Sequence, residues 1–236
     1  MIHTAIILAG GFGTRLQTVV SNLPKPMAPV DGEPFLNYQL RYLKKFGITK
    51  VVLSVGYLAE KIKDYYQSSF ENIEIHYTME TSPLGTGGGI RLAMDVCSEE
   101  QVLVMNGDSF FEIDLGLFSE AHTAQKAEVS IAMRKVENAA RYGTIIIDPT
   151  QRVVSFREKN NRAEPGTING GVYILNRNRF LEHTSSGISF SIESDFFEKQ
   201  MERIYIHGIE FNGYFIDIGV PEDYLKAQDD FKRFKN

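Results

Sequence analysis

The chain has 236 residues, and 25 Lys and Arg against 30 Asp and Glu give a formal net charge of −5 at neutral pH. With 43% hydrophobic and 23% charged residues it can bury a core and stay in water, and its length suits one domain. The acidic balance, with no Lys/Arg run longer than two residues, excludes a protein that holds nucleic acid chiefly through its phosphates. The single Cys97 excludes an internal disulfide and a cysteine-built zinc site, so a cytoplasmic location is expected.

The first residues carry no cationic run, and the short apolar segment after Thr4 breaks into glycines, so neither a signal peptide nor a membrane anchor is predicted. No apolar stretch approaches the roughly 20 residues that span a bilayer, so no membrane partner is predicted. β-branched runs predict strands at 4–9, 50–55, 73–79 and 102–105. Amphipathic segments predict helices at 34–46, where Leu36, Leu40 and Leu43 share a face, and at 57–66 and 88–97. This alternation is that of βαβ units in a mostly parallel sheet. A helix at 114–125 is followed by denser strands at 128–136, 143–148, 153–158 and 167–175, which predict antiparallel additions to the sheet. Residues 221–234 read as a closing helix that presents Tyr224, Ala227, Phe231 and Phe234. No repeat, linker or charge block divides the chain, so one domain over 1–236 is expected. The aromatic pairs Tyr65-Tyr66 and Phe196-Phe197 suit core packing or a contact within a homo-oligomer.

After the first strand comes Leu8-Ala9-Gly10-Gly11-Phe12-Gly13-Thr14-Arg15-Leu16, where an α/β sheet places its ligand. Glycines let backbone amides converge on phosphate oxygens, and Arg15 offers a forked cation. Leu16 stands where a dinucleotide fingerprint needs glycine, and no Gly-Lys-Ser/Thr follows, so neither standard phosphate loop is present. Next, Pro24-Lys25-Pro26-Met27 pins one lysine between two prolines. The five histidines form no zinc-ligating or nucleophile-activating pattern.

Together these two segments resemble the signature of the sugar-1-phosphate nucleotidyltransferases. The resemblance continues in order through Pro83-Leu84-Gly85-Thr86-Gly87-Gly88, Asn106-Gly107-Asp108, Tyr142-Gly143, Glu158-Lys159, Asn169-Gly170-Gly171-Val172-Tyr173 and Phe215-Ile216-Asp217-Ile218-Gly219. It implies a Rossmann-like three-layer α/β fold with a mixed, mostly parallel sheet. It also implies transfer of a nucleoside monophosphate from a nucleoside triphosphate to a sugar 1-phosphate, with release of pyrophosphate. On this resemblance Arg15, Lys25, Asp108 and Asp217 are catalytic, and the two aspartates hold Mg2+, which prefers a few carboxylates plus phosphate and water oxygens. Leu8, Ala9, Gly10, Gly11, Gly13, Thr14, Arg15, Lys25, Glu80, Pro83, Gly85, Thr86 and Asp108 meet the nucleotide. Gly143, Glu158, Lys159, Asn169 and Glu193 meet the sugar phosphate.

A carboxylate at Glu80 can accept from both N1–H and the exocyclic amine of guanine, while uracil and thymine turn carbonyls toward it, so GTP is the expected nucleotide. Glycines in the Gly10-Gly11 loop and the segment 80–87 are expected to let the backbone approach the base closely. The segment 80–89 is most similar to guanylyltransferases acting on D-glycero-α-D-manno-heptose 1-phosphate. Mannose-1-phosphate guanylyltransferases and N-acetylmuramate-1-phosphate uridylyltransferases share many of the same motifs and stay open. A regulatory subunit that keeps the fold without the chemistry is the alternative of another class, and the presence of Arg15, Lys25, Asp108 and Asp217 speaks against it. Only 17 residues follow Gly219, so the β-helical extension of longer relatives is not expected.

Overall fold

The β-branched runs become strands, and the amphipathic segments between them cover both faces of one sheet. The computed structural model describes residues 2–11, 16, 20, 22–157 and 163–234. In chain order the first half comprises β1 (Thr4–Ala9), the two-residue strands β2 (Pro29–Val30) and β3 (Glu33–Pro34), α1 (Phe35–Lys45), β4 (Lys50–Val55), α2 (Ala59–Tyr66), β5 (Ser69–Phe70), β6 (Ile73–Met79), α3 (Gly85–Met94), β7 (Gln101–Asn106) and β8 (Ser109–Phe111). The second half comprises α4 (Leu115–Ala124), β9 (Val129–Val136), β10 (Thr144–Ile147), β11 (Val153–Arg157), β12 (Gly166–Asn176) and α5 (Arg177–Glu182). A π-helical turn at Ile192–Phe197 then leads into α6 (Glu198–Gln200), followed by β13 (Ile206–Glu210), β14 (Phe215–Asp217) and α7 (Pro221–Asp230).

The sheet runs β11-β10-β12-β7-β1-β4-β6-β5, with β9 beside β12 and β13 beside β9. β1 is parallel to β4 and β7, and β4 is parallel to β6. β12 is antiparallel to both β7 and β9, which makes the second half mixed. β13 rejoins parallel to β9, a return the sequence reading did not contain.

Strand alternation sorts the core into two layers. Ala5, Ile7 and Ala9 of β1 face one side with Val51, Leu53 and Val55 of β4, where α1, α2 and Phe231 pack. Ile6, Val52, Val102 and Val104 face the other, against Ile90 and Met94 of α3, Phe180 of α5, and Phe196 and Phe197. Both faces are covered, as a mostly parallel sheet requires. The Phe196-Phe197 pair and Tyr66 are therefore core residues, while Tyr65 is half exposed. The chain end seals the first layer: the Phe231 ring lies 5.4 Å from Phe35, 4.8 Å from Tyr38 and 5.3 Å from Phe110. No helix of the described residues is long and apolar enough to cross a membrane.

Two irregularities position the site. β12 shifts register between Asn169 and Tyr173, a bulge containing Gly171 at φ +71. A methyl on Gly171 would lie 2.7 Å from Asn106 Nδ2, so only glycine lets β12 approach the end of β7 there. Second, β14 pairs antiparallel with β8, setting Asp217 opposite Ser109.

Candidate active site

A cavity of about 430 Å³ opens at the carboxyl ends of β1, β4 and β6, bordered by Gly10 and Gly11, Gly56 and Tyr57, and Glu80, Pro83, Gly85 and Thr86. This is the crevice in which open α/β sheets take ligands. Gly10 sits in a tight space: a methyl there would lie 3.1 Å from Glu80 Oε1 and 3.3 Å from the Gly56 nitrogen. Glu80 Oε2 accepts the Leu84 amide at 2.9 Å, which shapes the turn through Pro83.

A smaller cleft of about 200 Å³ shares Leu8, Gly11 and Thr86 with that cavity and adds Ala9, Lys25 and Asp108. The short 3₁₀ turn Lys25–Met27 buries Pro26 and Met27, which leaves Lys25 aimed across the cleft. Lys25 Nζ donates to Asp108 Oδ2 at 2.8 Å. Asp217 joins them from β14: its Oδ1 accepts the Gly219 amide at 2.7 Å. A methyl on Gly219 would lie 2.7 Å from Asp217 Oδ1 and 2.9 Å from Lys25 Nζ, so carboxylate and ammonium converge on this glycine. Burial and then the negative charge of Asp108 push Asp217 above the usual carboxylate value, while the Gly219 amide and Lys25 pull it down.

Among the described residues no cluster of three or more His, Cys, Asp or Glu is placed to hold a metal. Asp108 and Asp217 form a two-carboxylate, all-oxygen donor set at a cleft, which fits Mg2+ because that ion completes its octahedron with phosphate and water oxygens. Their mutual repulsion, already partly relieved by Lys25, would be relieved further by a cation.

A third cavity, of about 450 Å³, lies on the far side of β12, bordered by Gly143, Thr144, Arg157, Asn169, Ser191 and Glu193. The β12 bulge orients Asn169, whose Nδ2 donates to Glu193 Oε1 and to the Tyr173 hydroxyl, each at 2.6 Å. Ser191 caps the π-helical turn by accepting from the Glu193 and Ser194 amides.

Leu8, Ala9, Gly10, Gly11, Lys25, Glu80, Pro83, Gly85, Thr86 and Asp108 thus border the two connected depressions, with Asp217 beside Lys25 and Asp108. Gly143, Asn169 and Glu193 gather in the third cavity. Gly13, Thr14, Arg15, Glu158 and Lys159 lie outside the described residues.

The expected reason for the glycine run after Pro83 needs correction. Methyls on Gly87, Gly88 and Gly89 would lie 2.1 Å from the Phe190 ring, 2.6 Å from the Ile188 carbonyl oxygen and 2.8 Å from Glu80 Oε1. Gly87 and Gly88 thus make room for packing inside the protein, and Gly89 for the Glu80 carboxylate. Helix α3 also begins at Gly85, earlier than predicted, because the Phe190 carbonyl accepts the Gly87 and Gly88 amides.

Sequence reasoning missed Gly56, Tyr57, Arg157 and Ser191, and above all Gln39. Fully buried on α1, Gln39 donates from Nε2 to the carbonyls of Asn106 and Ser109, each at 2.8 Å, and so brackets Asp108. Its signal was available: position 39 lies three residues after Leu36 and four before Leu43, a polar side chain on the apolar face.

A glycine-bordered cavity, a lysine paired with an aspartate, and a second carboxylate at the end of an α/β sheet define a nucleotide-handling phosphotransfer site. Residues 4–233 match the family model described as nucleotidyl transferase, and the chain belongs to that family. It is 46% identical over 230 residues to a D-glycero-alpha-D-manno-heptose 1-phosphate guanylyltransferase of Aneurinibacillus thermoaerophilus, covering 98% of this chain and 99% of that one. A Campylobacter jejuni protein of the same name is 41% identical over 220 residues, covering 93% and 96%. HddC of Yersinia pseudotuberculosis, crystallised with GMP-PN, superposes with a TM-score of 0.84 at 35% identity, covering 98% of this chain and 100% of that one. The protein is a nucleotidyltransferase.

Proposed function

We propose that the enzyme transfers a guanylyl group from GTP to D-glycero-α-D-manno-heptose 1-phosphate, forming the GDP-heptose and pyrophosphate. The observation that carries the sugar is the 46% identity, across nearly the full length of both chains, with a heptose 1-phosphate guanylyltransferase. The base enters the 430 Å³ cavity with Glu80 at its wall, and the phosphates run into the cleft at Lys25. The heptose occupies the cavity beyond β12, where the Glu193 carboxylate accepts from its hydroxyls and the Asn169 amide exchanges hydrogen bonds with them, with Gly143 at the cavity edge.

The reaction is an in-line displacement. An oxygen of the sugar phosphate attacks the α-phosphorus while the bond from that phosphorus to the α,β-bridging oxygen breaks, and pyrophosphate leaves with the electron pair. A phosphate dianion needs no general base, so the protein's work is orientation and charge stabilisation. Lys25 meets the α-phosphate, where charge builds; Arg15 holds the leaving phosphates; Lys159 and Glu158 take the sugar phosphate and sugar. Asp108 and Asp217 hold Mg2+, which when bound neutralises phosphate charge. The cytoplasm, where GTP is supplied, is the proposed location.

The test crosses GTP, ATP, UTP and dTTP with heptose, mannose, glucose and N-acetylmuramate 1-phosphates in a coupled pyrophosphate-release assay with Mg2+. Release is expected with GTP and the heptose phosphate. Preferential turnover of mannose 1-phosphate, or of UTP, overturns the substrate assignment.

A further inference from the structure

Residues 190–192 form a strap between the two large cavities. Four hydrogen bonds stitch it to the loop and first turn at 84–88. Phe190 N donates to the Leu84 carbonyl at 2.9 Å, and the Gly87 and Gly88 amides donate to the Phe190 carbonyl at 2.9 and 3.4 Å. The Ile192 amide donates to Thr86 Oγ1 at 2.9 Å. The Phe190 ring lies over Gly87 so closely that a methyl there would come within 2.1 Å of it, and a methyl on Gly85 would lie 2.6 Å from the Phe190 carbonyl oxygen. No slack separates the strap from the start of α3, so the two move together.

The strap and the helix start it holds border different sites. Gly85 and Thr86 border the cavity assigned to the base, and Thr86 also borders the cleft with Lys25 and Asp108. Immediately after Ile192, Glu193 borders the other large cavity and is held across it by Asn169 Nδ2. Phe190 supplies the acceptor for the Gly87 and Gly88 amides, which ties the first turn of α3 to the strap.

We propose that Thr86 is a positioning residue for the sugar phosphate: its hydroxyl, by holding the Ile192 amide, transmits nucleotide occupancy of the first cavity to Glu193 in the second. This deepens the functional reading above and rests on it. The consequence is a coupling free energy between the two substrates, so that each tightens the other.

The test compares the wild-type enzyme with Thr86→Val, which removes the acceptor, and Thr86→Ser, which keeps it. Calorimetry measures heptose 1-phosphate binding with and without a non-hydrolysable GTP analogue, and steady-state kinetics gives KM for each substrate. In the wild type the analogue is expected to tighten the sugar phosphate roughly 5- to 50-fold. Thr86→Val reduces that factor to about twofold or less and raises KM for the sugar phosphate at least about fivefold more than KM for GTP, while Thr86→Ser restores both. Hydrogen exchange on the unmodified enzyme should show residues 190–194 becoming protected when the analogue binds alone, a readout that no variant has to fold to provide. Unchanged coupling in Thr86→Val, a serine variant that behaves like the valine one, or no protection at 190–194 overturns the strap. Absence of turnover in the wild type instead overturns the functional reading, so the two failures are told apart.

Discussion

Gln39 offers the sharpest test of how the Asp108 loop is held. Replacing it by Met keeps side-chain length and apolar volume on α1 but withdraws both N–H donors from the Asn106 and Ser109 carbonyls, 2.8 Å away. A buried acceptor left without a partner costs about 1–3 kcal/mol. The same change also deletes Gln39 Oε1, which is itself buried without a partner, and that removal offsets about one such penalty. Two acceptors orphaned against one relieved leave a net destabilisation of about 1–3 kcal/mol. For a chain of this size that lowers Tm by roughly 3–10 °C. Asp108 sits between the two released carbonyls, and a misplacement of about 1 Å near reacting groups costs on the order of 100-fold, so kcat should fall about 10- to 100-fold. The preference for GTP over UTP should stay within about threefold, since the first cavity is bordered by β1, β4 and β6 loops that Gln39 does not touch. Differential scanning calorimetry and steady-state pyrophosphate release measure the two effects. A Tm within about 1 °C of wild type together with turnover within about twofold would refute the claim that Gln39 positions this loop.

Lys25→Ala should lower turnover about 100- to 1,000-fold with far-UV circular dichroism unchanged, and near-normal turnover would remove Lys25 from the chemistry. Glu80→Gln should reduce the GTP-over-UTP ratio of kcat/KM by at least about tenfold; an unchanged ratio would assign base choice to backbone groups. His122 is buried, bonded through Nδ1 to Ser130 Oγ, and burial followed by the influence of His207 pushes its pKa down to about 4. The unfolded chain takes up that proton first, so the stability from neutral His122 is complete above about pH 6.5 and is lost as pH falls toward 4. By pH 5 the loss is about 2 kcal/mol, seen as a lower urea midpoint, and His122→Gln should flatten this slope; an unaltered slope places the acid sensitivity elsewhere.

Much of the first half was legible because local pattern and tertiary need agree there. β1, β4 and β6 match the predicted strands end to end, since runs such as Lys50–Val55 are β-branched and buried and have no competing helical period. The start of α3 was misplaced because consecutive glycines argue against a helix. Only the Phe190 carbonyl, brought in from more than 100 residues away, completes that turn. The π-helical turn at Ile192–Phe197 and the two short strands β8 and β14 carry too few residues to show a period. Of the expected site residues, Gly10, Gly11, Lys25, Glu80 and Asp108 border the two connected depressions. Gln39 was missed because its importance lies in what it reaches, two carbonyls 67 and 70 residues further along the chain.

The amino-acid sequence by itself determined the alternation of strands and helices, the glycine turn after β1 and the inventory of cations and carboxylates, because those are written in local side-chain pattern and residue type. The tertiary structure alone decided which of them meet. Asp108 and Asp217 come together because β14 lies antiparallel on β8. Lys25 reaches Asp108 because Pro26 and Met27 are buried behind it. The first and third cavities are linked because one strap packs against a helix start where Gly85 and Gly87 leave no room for a side chain. Such contacts depend on chain segments far apart in sequence finding a shared surface, and local spacing carries no record of that.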